Sequence, residues 1–172
     1  MVHLQGRETR GGGGGVMWRR KKREESPAGN ICAGNGKTGI VAVMENAQWA
    51  SVSDFGGVAV AMGYNGRATA RGYLGVALAT RTQGEAKAVG EWGSAVATGM
   101  IGEARAEGAD GVATTTNAGG RVMGALGCAL FAVERADSGK ITSVAAGIVD
   151  GVNIKPNTWY ACRGGKLVGV KR

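Results

Sequence analysis

Small apolar residues alternate with variable residues through the middle of the chain, and a glycine interrupts the alternation at every ninth position from Gly57 to Gly120. When each nine-residue unit is numbered from its leading glycine, the third and fifth places are alanine in nearly every unit, with Thr115 as the polar exception. A two-residue period is typical of a strand with one buried face. Because a period held over seven units indicates a repeat architecture, we predict a series of strands of about five residues with their alanines inward.

The seventh place of most units is also glycine, which predicts a tight corner after every strand. We expect the backbone to take a positive φ at this place, since glycine adopts that conformation at little cost. Asn117 tolerates the same conformation, whereas Arg81 fits it poorly. Bulky corner residues such as Tyr64, Tyr73 and Trp92 are expected either to contact a partner or to pack against one another.

The outward places two, four and six differ between alternate units: one set has no charged residue, and the other carries charge in every unit. This alternation favours a coil of two units over antiparallel hairpins or a three-sided coil. We therefore predict an all-β fold, a parallel β-solenoid (β-roll) with two strands and 18 residues per coil. Residues 18 apart then stack, which places Arg67 on Glu85 and Glu103 on Arg121. Glu85 on Glu103 and Lys87 on Arg105 are like-charged neighbours in the same ladder.

The two sheets predict two different interaction faces. The uncharged strip is longer than a monomer usually leaves in water, so we predict that it is the interface of a homodimer; the alternative is a terminal segment folded over it. Its residues are Val58, Val60, Met62, Val76, Leu78, Thr80, Val96, Thr98, Val112, Thr114 and Thr116. The charged sheet is predicted to face a partner through Arg67, Arg71, Glu85, Lys87, Glu103, Arg105, Glu107 and Arg121.

The chain divides into three regions by composition. Residues 1–29 are predicted to be a disordered basic and glycine-rich tail, 30–127 the solenoid, and 128–172 a β cap with larger apolar residues that closes the coil. Seven basic and three acidic residues up to position 25 give the tail +4, half of the net charge of +8. Such a cluster can hold nucleic-acid phosphates, but a solvated tail is the favoured interpretation because no nucleic-acid-binding motif follows it.

The sequence offers little chemistry for a reaction. The Gly34–Thr38 segment has the glycine, lysine and threonine of a phosphate loop, but Ile31 stands where its first glycine is required, so a turn is predicted. The one histidine is His3, and no cluster of metal ligands is visible. A calcium-binding nonapeptide roll needs an aspartate in every turn, and Asp110 is the only one at its corner position. We predict no enzyme activity, no cofactor and no metal.

The three cysteines are unclustered and odd in number, which favours a reducing compartment. No apolar run is long enough to span a membrane, and no signal peptide is visible. The expected location is the cytoplasm of the host cell, without membrane contact.

The repeats and the C-terminal part of the chain resemble a known group of proteins. The Gly57–Gly119 repeats, the segment Leu130–Glu134 and the run Val149–Tyr160, which reads Val-Asp-Gly-Val-Asn-Ile-Lys-Pro-Asn-Thr-Trp-Tyr, resemble a group of phage and prophage proteins. Those proteins have glycine- and alanine-rich repeats and a similar Asp-Gly, Ile-Lys, Thr-Trp-Tyr ending. The repeats are more loosely similar to the β-rolls of trimeric autotransporter adhesin heads.

The resemblance implies a phage origin and no defined activity, so no site residue can be carried over from it. Together with the two faces, it leads us to predict a non-enzymatic binding or scaffold protein that presents a rigid solenoid face to a host protein, with inhibition of a host defence as one form of that function. The alternative is a structural component of a virion or of an adhesin head.

Overall fold

The computed structural model describes residues 30–33 and 39–171. The predicted tail at 1–29 and the predicted turn at 34–38 lie outside these described residues. The prediction of fold class is confirmed: the described chain is an all-β solenoid of about five coils with about 18 residues per coil and two sheets.

Fifteen strands make up the described chain, and no helix occurs among them. The strands are β1 (Asn30–Ala33), β2 (Ile40–Val43), β3 (Trp49–Val52), β4 (Val58–Ala61), β5 (Arg67–Ala70), β6 (Val76–Ala79), β7 (Glu85–Ala88), β8 (Ser94–Ala97), β9 (Glu103–Ala106), β10 (Val112–Thr115), β11 (Arg121–Gly124), β12 (Ala129–Arg135), β13 (Ile141–Ile148), β14 (Trp159–Arg163) and β15 (Lys166–Val170).

Successive strands of the solenoid alternate between two sheets. The eight-stranded sheet has the order β1-β3-β5-β7-β9-β11-β14-β15, and the seven-stranded sheet has the order β13-β12-β10-β8-β6-β4-β2. Neighbours from β1 to β12 run parallel, with Val60 paired to Leu78 in one sheet and Thr69 to Lys87 in the other. Val60 and Thr69 therefore lie on opposite sheets, and the alternative of antiparallel hairpins within the repeat is wrong.

Alanine methyl groups fill the interior between the two sheets. The inward places three and five from Ala59 to Ala113 are at most 1% exposed. Thr115 is the polar inward residue, and its Oγ1 is buried without a hydrogen-bond partner in the described part of the chain. Larger buried side chains occur towards both ends, with Val43 and Val52 in the first coils and Leu130 in β12. Methyl groups thus make up the middle of the core, and bulkier groups fill it where the coil ends.

The corners differ from the prediction in one respect. Positive φ occurs at the ninth place of each unit and not at the seventh, with values between 53° and 59° at Asn65, Leu74, Gln83, Trp92, Ile101 and Asp110. Bulky and β-branched side chains are rare in this conformation. A ladder of main-chain bonds holds it from Asn65 to Ile101, because each of these ninth-place N–H groups donates to the eighth-place carbonyl of the next coil on the same edge, as from Leu74 to Glu91 at 3.0 Å. The backbone of these five corners is therefore fixed by the next coil.

Glycine is needed at the seventh place for a different reason. A Cβ built on Gly72 would lie 1.9 Å from Asp54 O, and one built on Gly90 would lie 2.1 Å from Gly72 O. At these glycine corners the chain therefore sits directly against the main chain of the preceding coil, and this close approach leaves no room for a Cβ, whereas Arg81 and Asn117 carry side chains at the same place of their own units. Arg81 does not take the positive φ predicted for this place.

The C-terminal strands continue both sheets and then reverse direction. β12 pairs in parallel with β10, and β13 returns antiparallel to β12. The β14–β15 hairpin lies antiparallel to β11 through Val122 and Tyr160. Glu134 links these strands, because its Oε2 accepts hydrogen bonds from Ser143 Oγ at 2.5 Å and from Gly164 N at 2.8 Å. These two bonds hold the pKa of Glu134 below its ordinary value.

The loop before β14 is organised by Asp150. Its Oδ1 accepts hydrogen bonds from the main-chain N–H groups of Ile154, Val152 and Asn153, and its Oδ2 accepts one from the Asn153 side chain. The bond from Ile154, followed by that from the Asn153 side chain, lowers the pKa of Asp150 to about 2. The Asp150-Gly151 segment is therefore a turn that the carboxylate of Asp150 closes.

Candidate functional site

The outer surface of the eight-stranded sheet, called here the charged face, carries a row of stacked ionic side chains. Place two of successive strands supplies this charged row, which is Arg67, Glu85, Glu103 and Arg121. A tryptophan stands at each end: Arg67 lies 5.2 Å from the ring centroid of Trp49, and Arg121 lies 5.3 Å from that of Trp159. Cation–π contacts of this geometry restrain both guanidinium groups. The row therefore reads tryptophan, arginine, two glutamates, arginine and tryptophan along the solenoid.

The charged row pairs its charges internally. Arg67 Nε lies 3.3 Å from Glu85 Oε2, and Arg121 Nε donates to Glu103 Oε1 at 3.1 Å. Each glutamate thus bonds the arginine on its outer side, which offsets the repulsion between the stacked Glu85 and Glu103 carboxylates. Partly exposed pairs of this kind each contribute about 0–1 kcal/mol, so the row fixes the positions of charge more than it stabilises the fold.

A second ionic cluster offsets the repulsion between the other pair of like-charged neighbours. Lys87 and Arg105 stack in place four, and both bond Glu107, with Lys87 Nζ 3.0 Å from Oε2 and Arg105 Nη2 2.6 Å from Oε1. Arg71 is exposed. The structure thus places every residue predicted for the partner face on one sheet, within or directly after β5, β7, β9 and β11.

A shallow groove of about 220 Å³ runs along the charged row. The row forms one wall, and the ninth-place residues Asn65, Gln83 and Ile101 form the other. The groove therefore offers guanidinium, carboxylate and amide groups in a fixed order, and these are groups that recognise polar side chains and main-chain amides of a partner.

The charged row does not complement a second copy of itself when the two rows overlap completely. Two copies docked face to face and antiparallel bring Arg67 against Arg121 and Glu85 against Glu103, while parallel docking brings each residue against its own copy. Like charges meet in both registers, and such contacts cost several kcal/mol. The charged row is therefore not self-complementary when two copies overlap completely.

The outer surface of the seven-stranded sheet, called here the uncharged face, contains every residue of the predicted strip. Val60, Leu78 and Val96 stack at its centre and are partly exposed. The face also continues past the strip at both ends, where Ile40 is 75% exposed and Ile148 is 65% exposed. Further members outside the prediction are Ala42, Met44, Ala129, Phe131, Val144 and Ala146.

The size of the uncharged face can be estimated from strand spacing. Seven strands at about 4.8 Å and about 15 Å of strand length give on the order of 500 Å² per copy. Two copies in contact would bury about 1,000 Å², which reaches the lower bound for a specific interface. Part of this area comes from Ser94 and from threonines such as Thr114, so its apolar portion lies within the range of the largest patches that monomers expose.

The bulky corner residues pack on one another along the edges. Phe55 stacks on Tyr73 at 5.5 Å between ring centroids, and Tyr73 lies 5.2 Å from Trp92. On the other edge, Tyr64 OH donates to Gln83 Oε1 at 2.5 Å. Because the faces of the stacked rings are occupied by each other, this row is not an open stacking platform.

Sequence reasoning left several of these residues out of the predicted faces. Trp49 is place two of a degenerate unit, so the period itself signals its position. Trp159, Val144 and Ile148 lie beyond the repeat, where no period assigns a sheet or a face. Gln83 lines the groove because a corner residue of one edge borders the charged sheet, and a strand pattern does not report such a contact.

Among the described residues, no group of three or more His, Cys, Asp or Glu side chains could hold a metal ion. The same part of the chain contains no helix of the length and apolar character needed to cross a membrane. Ser143 Oγ lies 3.3 Å from Cys162 Sγ beside Glu134, and His3, the chain's one imidazole, lies outside the described residues.

Comparisons with protein-family models, with curated proteins and with solved structures found no match.

Proposed function

We propose that the protein is a non-enzymatic binding scaffold of phage origin that forms a dimer through its uncharged face and presents its charged face to a host protein. The observation that carries this proposal is the chemical difference between the two outer surfaces of one solenoid. One surface has no charged residue on β2, β4, β6, β8 or β10, and the other has a charged residue on each of β5, β7, β9 and β11.

Binding is favoured over catalysis because the carboxylates of the charged row are paired with arginines and lie on an open groove. Glu85 and Glu103 bond arginines on an open groove, whereas a general acid usually lies in a pocket that raises its pKa. The proposed phage origin rests on the Asp-Gly, Ile-Lys and Thr-Trp-Tyr elements of the run Val149–Tyr160. A host protein that complements the groove would place acidic groups near Arg67 and Arg121 and a basic group over the two glutamates.

A glutamate at the centre of the uncharged face is expected to abolish association through that face. In Leu78→Glu, a carboxylate would enter a contact made of valine and leucine, and its desolvation would weaken association by about 100-fold or more. Sedimentation equilibrium from about 1 to 100 µM measures the effect. The matched control is Thr69→Glu, which adds the same charge at place four of the charged face.

Thr69→Glu should leave the oligomeric state unchanged. A wild-type chain that is monomeric over the whole concentration range, or a Leu78→Glu variant that associates as strongly as wild type with an unchanged circular dichroism spectrum, would contradict association through the uncharged face.

Partner binding is tested by affinity capture from a host lysate, with variants of both faces compared. The double variant Arg67→Ala/Arg71→Ala removes two cations from the charged face and should reduce capture of a stoichiometric host protein at least tenfold. The control double variant Lys140→Ala/Lys155→Ala removes two exposed cations elsewhere and should capture as wild type does.

Leu78→Glu should retain the partner if the two faces act separately. Equal capture by both double variants would refute the partner face. Assembly of the purified protein into trimers or fibres, without a captured partner, would favour the alternative of a structural component.

A further inference from the structure

β13 is a long strand at the open edge of the seven-stranded sheet. Its eight residues read Ile-Thr-Ser-Val-Ala-Ala-Gly-Ile and include no charged residue and no proline. An edge strand presents unpaired main-chain groups, and proteins usually protect such strands with lysine, proline, a bulge or a short length. The register irregularity at Glu134 and Arg135 lies at one end of the strand, so most of β13 has none of these devices.

The partner strand β12 uses alternate residues to bond its two neighbours. Ala129 donates its N–H to Gly111 O at 2.9 Å, on the side of β10. Because successive residues of a strand point their main-chain groups to opposite sides, Leu130 and Ala132 bond β13.

This alternation identifies the unpaired groups of β13. Leu130 and Ala132 lie opposite Gly147 and Ala145, so the main-chain groups of those two β13 residues face β12. The intervening residues point their N–H and C=O groups away from β12, towards the open edge; they are Val144, Ala146 and Ile148.

The other C-terminal edge is different. β15 is five residues long, begins with Lys166 and is followed by Lys171, and these lysines disfavour pairing with another strand. On β13 the outward side chains of Val144 and Ile148 are 51% and 65% exposed and extend the uncharged face to its last strand. The unprotected edge is therefore continuous with the apolar surface.

We propose that β13 pairs with β13 of a second copy in an antiparallel, two-fold arrangement centred on Ala146. Two copies of one strand related by a two-fold axis run antiparallel, so each residue pairs with the residue equally far from Ala146 on the other strand. Val144 then faces Ile148 of the second copy, and Ala146 faces Ala146. About six main-chain hydrogen bonds form, and the two seven-stranded sheets become one continuous sheet with both uncharged faces on the same side.

The pairing is tested with Ala146→Pro. Proline removes an N–H that points to the open edge, so the bonds between β12 and β13 are retained while the central pair of the new contact is lost. Ala146→Val keeps the N–H and should associate as wild type does. In the Leu78→Glu background, which removes contact through the uncharged face, we expect a dimer by sedimentation equilibrium, and addition of Ala146→Pro should give a monomer.

A second measurement uses the unaltered protein. Hydrogen exchange should be slowed at the amides of Val144, Ala146 and Ile148 when the protein is associated, and fast when it is diluted to monomer. The amides of Ala145 and Gly147, which bond β12, should be protected at both concentrations.

The two contacts fail in distinguishable ways. If only the uncharged face associates, Leu78→Glu is monomeric and the amides of Val144, Ala146 and Ile148 exchange quickly in the wild-type dimer, which overturns the β13 pairing. If only β13 pairs, Leu78→Glu leaves the wild-type state unchanged and Ala146→Pro abolishes it.

Discussion

Replacing Gly90 with alanine is expected to cost about 3–5 kcal/mol in the free energy of unfolding, which is at the severe end for a single substitution. The added Cβ would lie 2.1 Å from Gly72 O and 2.5 Å from Gly72 C. Neither atom belongs to a flexible side chain, so the two coils must separate locally to accommodate the methyl group. That separation breaks the corner bonds, among them the one from Leu74 N to Glu91 O. Urea denaturation followed by far-ultraviolet circular dichroism measures the loss.

Arg81→Ala is the matched control for this substitution. Arg81 occupies the same seventh place on the opposite edge and already carries a Cβ, so its truncation should change stability by less than about 1 kcal/mol. A Gly90→Ala variant that is also within about 1 kcal/mol of wild type would show that the corners are not in the close contact described.

Leucine in place of Ala86 is expected to destabilise the fold by about 3 kcal/mol or more. Ala86 is fully buried in β7, stacked between Ala68 and Ala104, and its neighbours within the core are methyl groups held on main chain. Overpacking usually costs about 1–3 kcal/mol when neighbouring side chains can change rotamer. Alanine has no rotamer to change, so the backbone of both sheets has to move.

The control for the core substitution is Thr69→Leu. It adds leucine at an outward place of the same sheet, where the side chain extends into solvent, and we expect less than about 0.5 kcal/mol in either direction. Thermal unfolding of both variants compares them directly. Equal melting temperatures would mean that the interior holds more space than the buried alanines indicate.

The pattern of the repeat was sufficient to predict the sheets and the pairing. A nine-residue period with two kinds of outward residue has one simple solution, in which residues 18 apart stack. The pairs Arg67–Glu85 and Glu103–Arg121 follow from that arithmetic and are present. The like-charged neighbours were also predicted, but their relief through Glu107 depends on side-chain reach across places four and six, which a period does not encode.

The corner conformation could not be read from composition alone. Glycine marks both positive φ and close approach of another chain segment, and in this chain the two requirements fall on different places. Where the seventh place is glycine, as at Gly72 and Gly90, the residue lies against the main chain of the preceding coil, while the ninth place takes positive φ with Leu74, Trp92 and Ile101. Only the relative position of two coils distinguishes these causes, and that position is a property of the assembled solenoid.

The extent of the uncharged face was underestimated for a related reason. The predicted strip ends at Thr116 because the repeat ends there, whereas β12 and β13 continue the same sheet with Phe131 and Ile148. Both residues are large and apolar, so sequence reasoning placed them in a cap. Side-chain size alone does not report which side of a strand faces solvent.

The stacking of units in pairs also constrains how the length of such a protein can change. Removal of 18 residues, such as positions 75–92, would shorten the molecule by one rung of about 4.8 Å and leave every later strand in its own sheet. Removal of nine residues would move all later strands to the opposite sheet, so that ionic and apolar outer surfaces would be exchanged from that point onward. Insertions and deletions that preserve both surfaces are therefore restricted to whole coils, and the molecule can lengthen or shorten only in such steps.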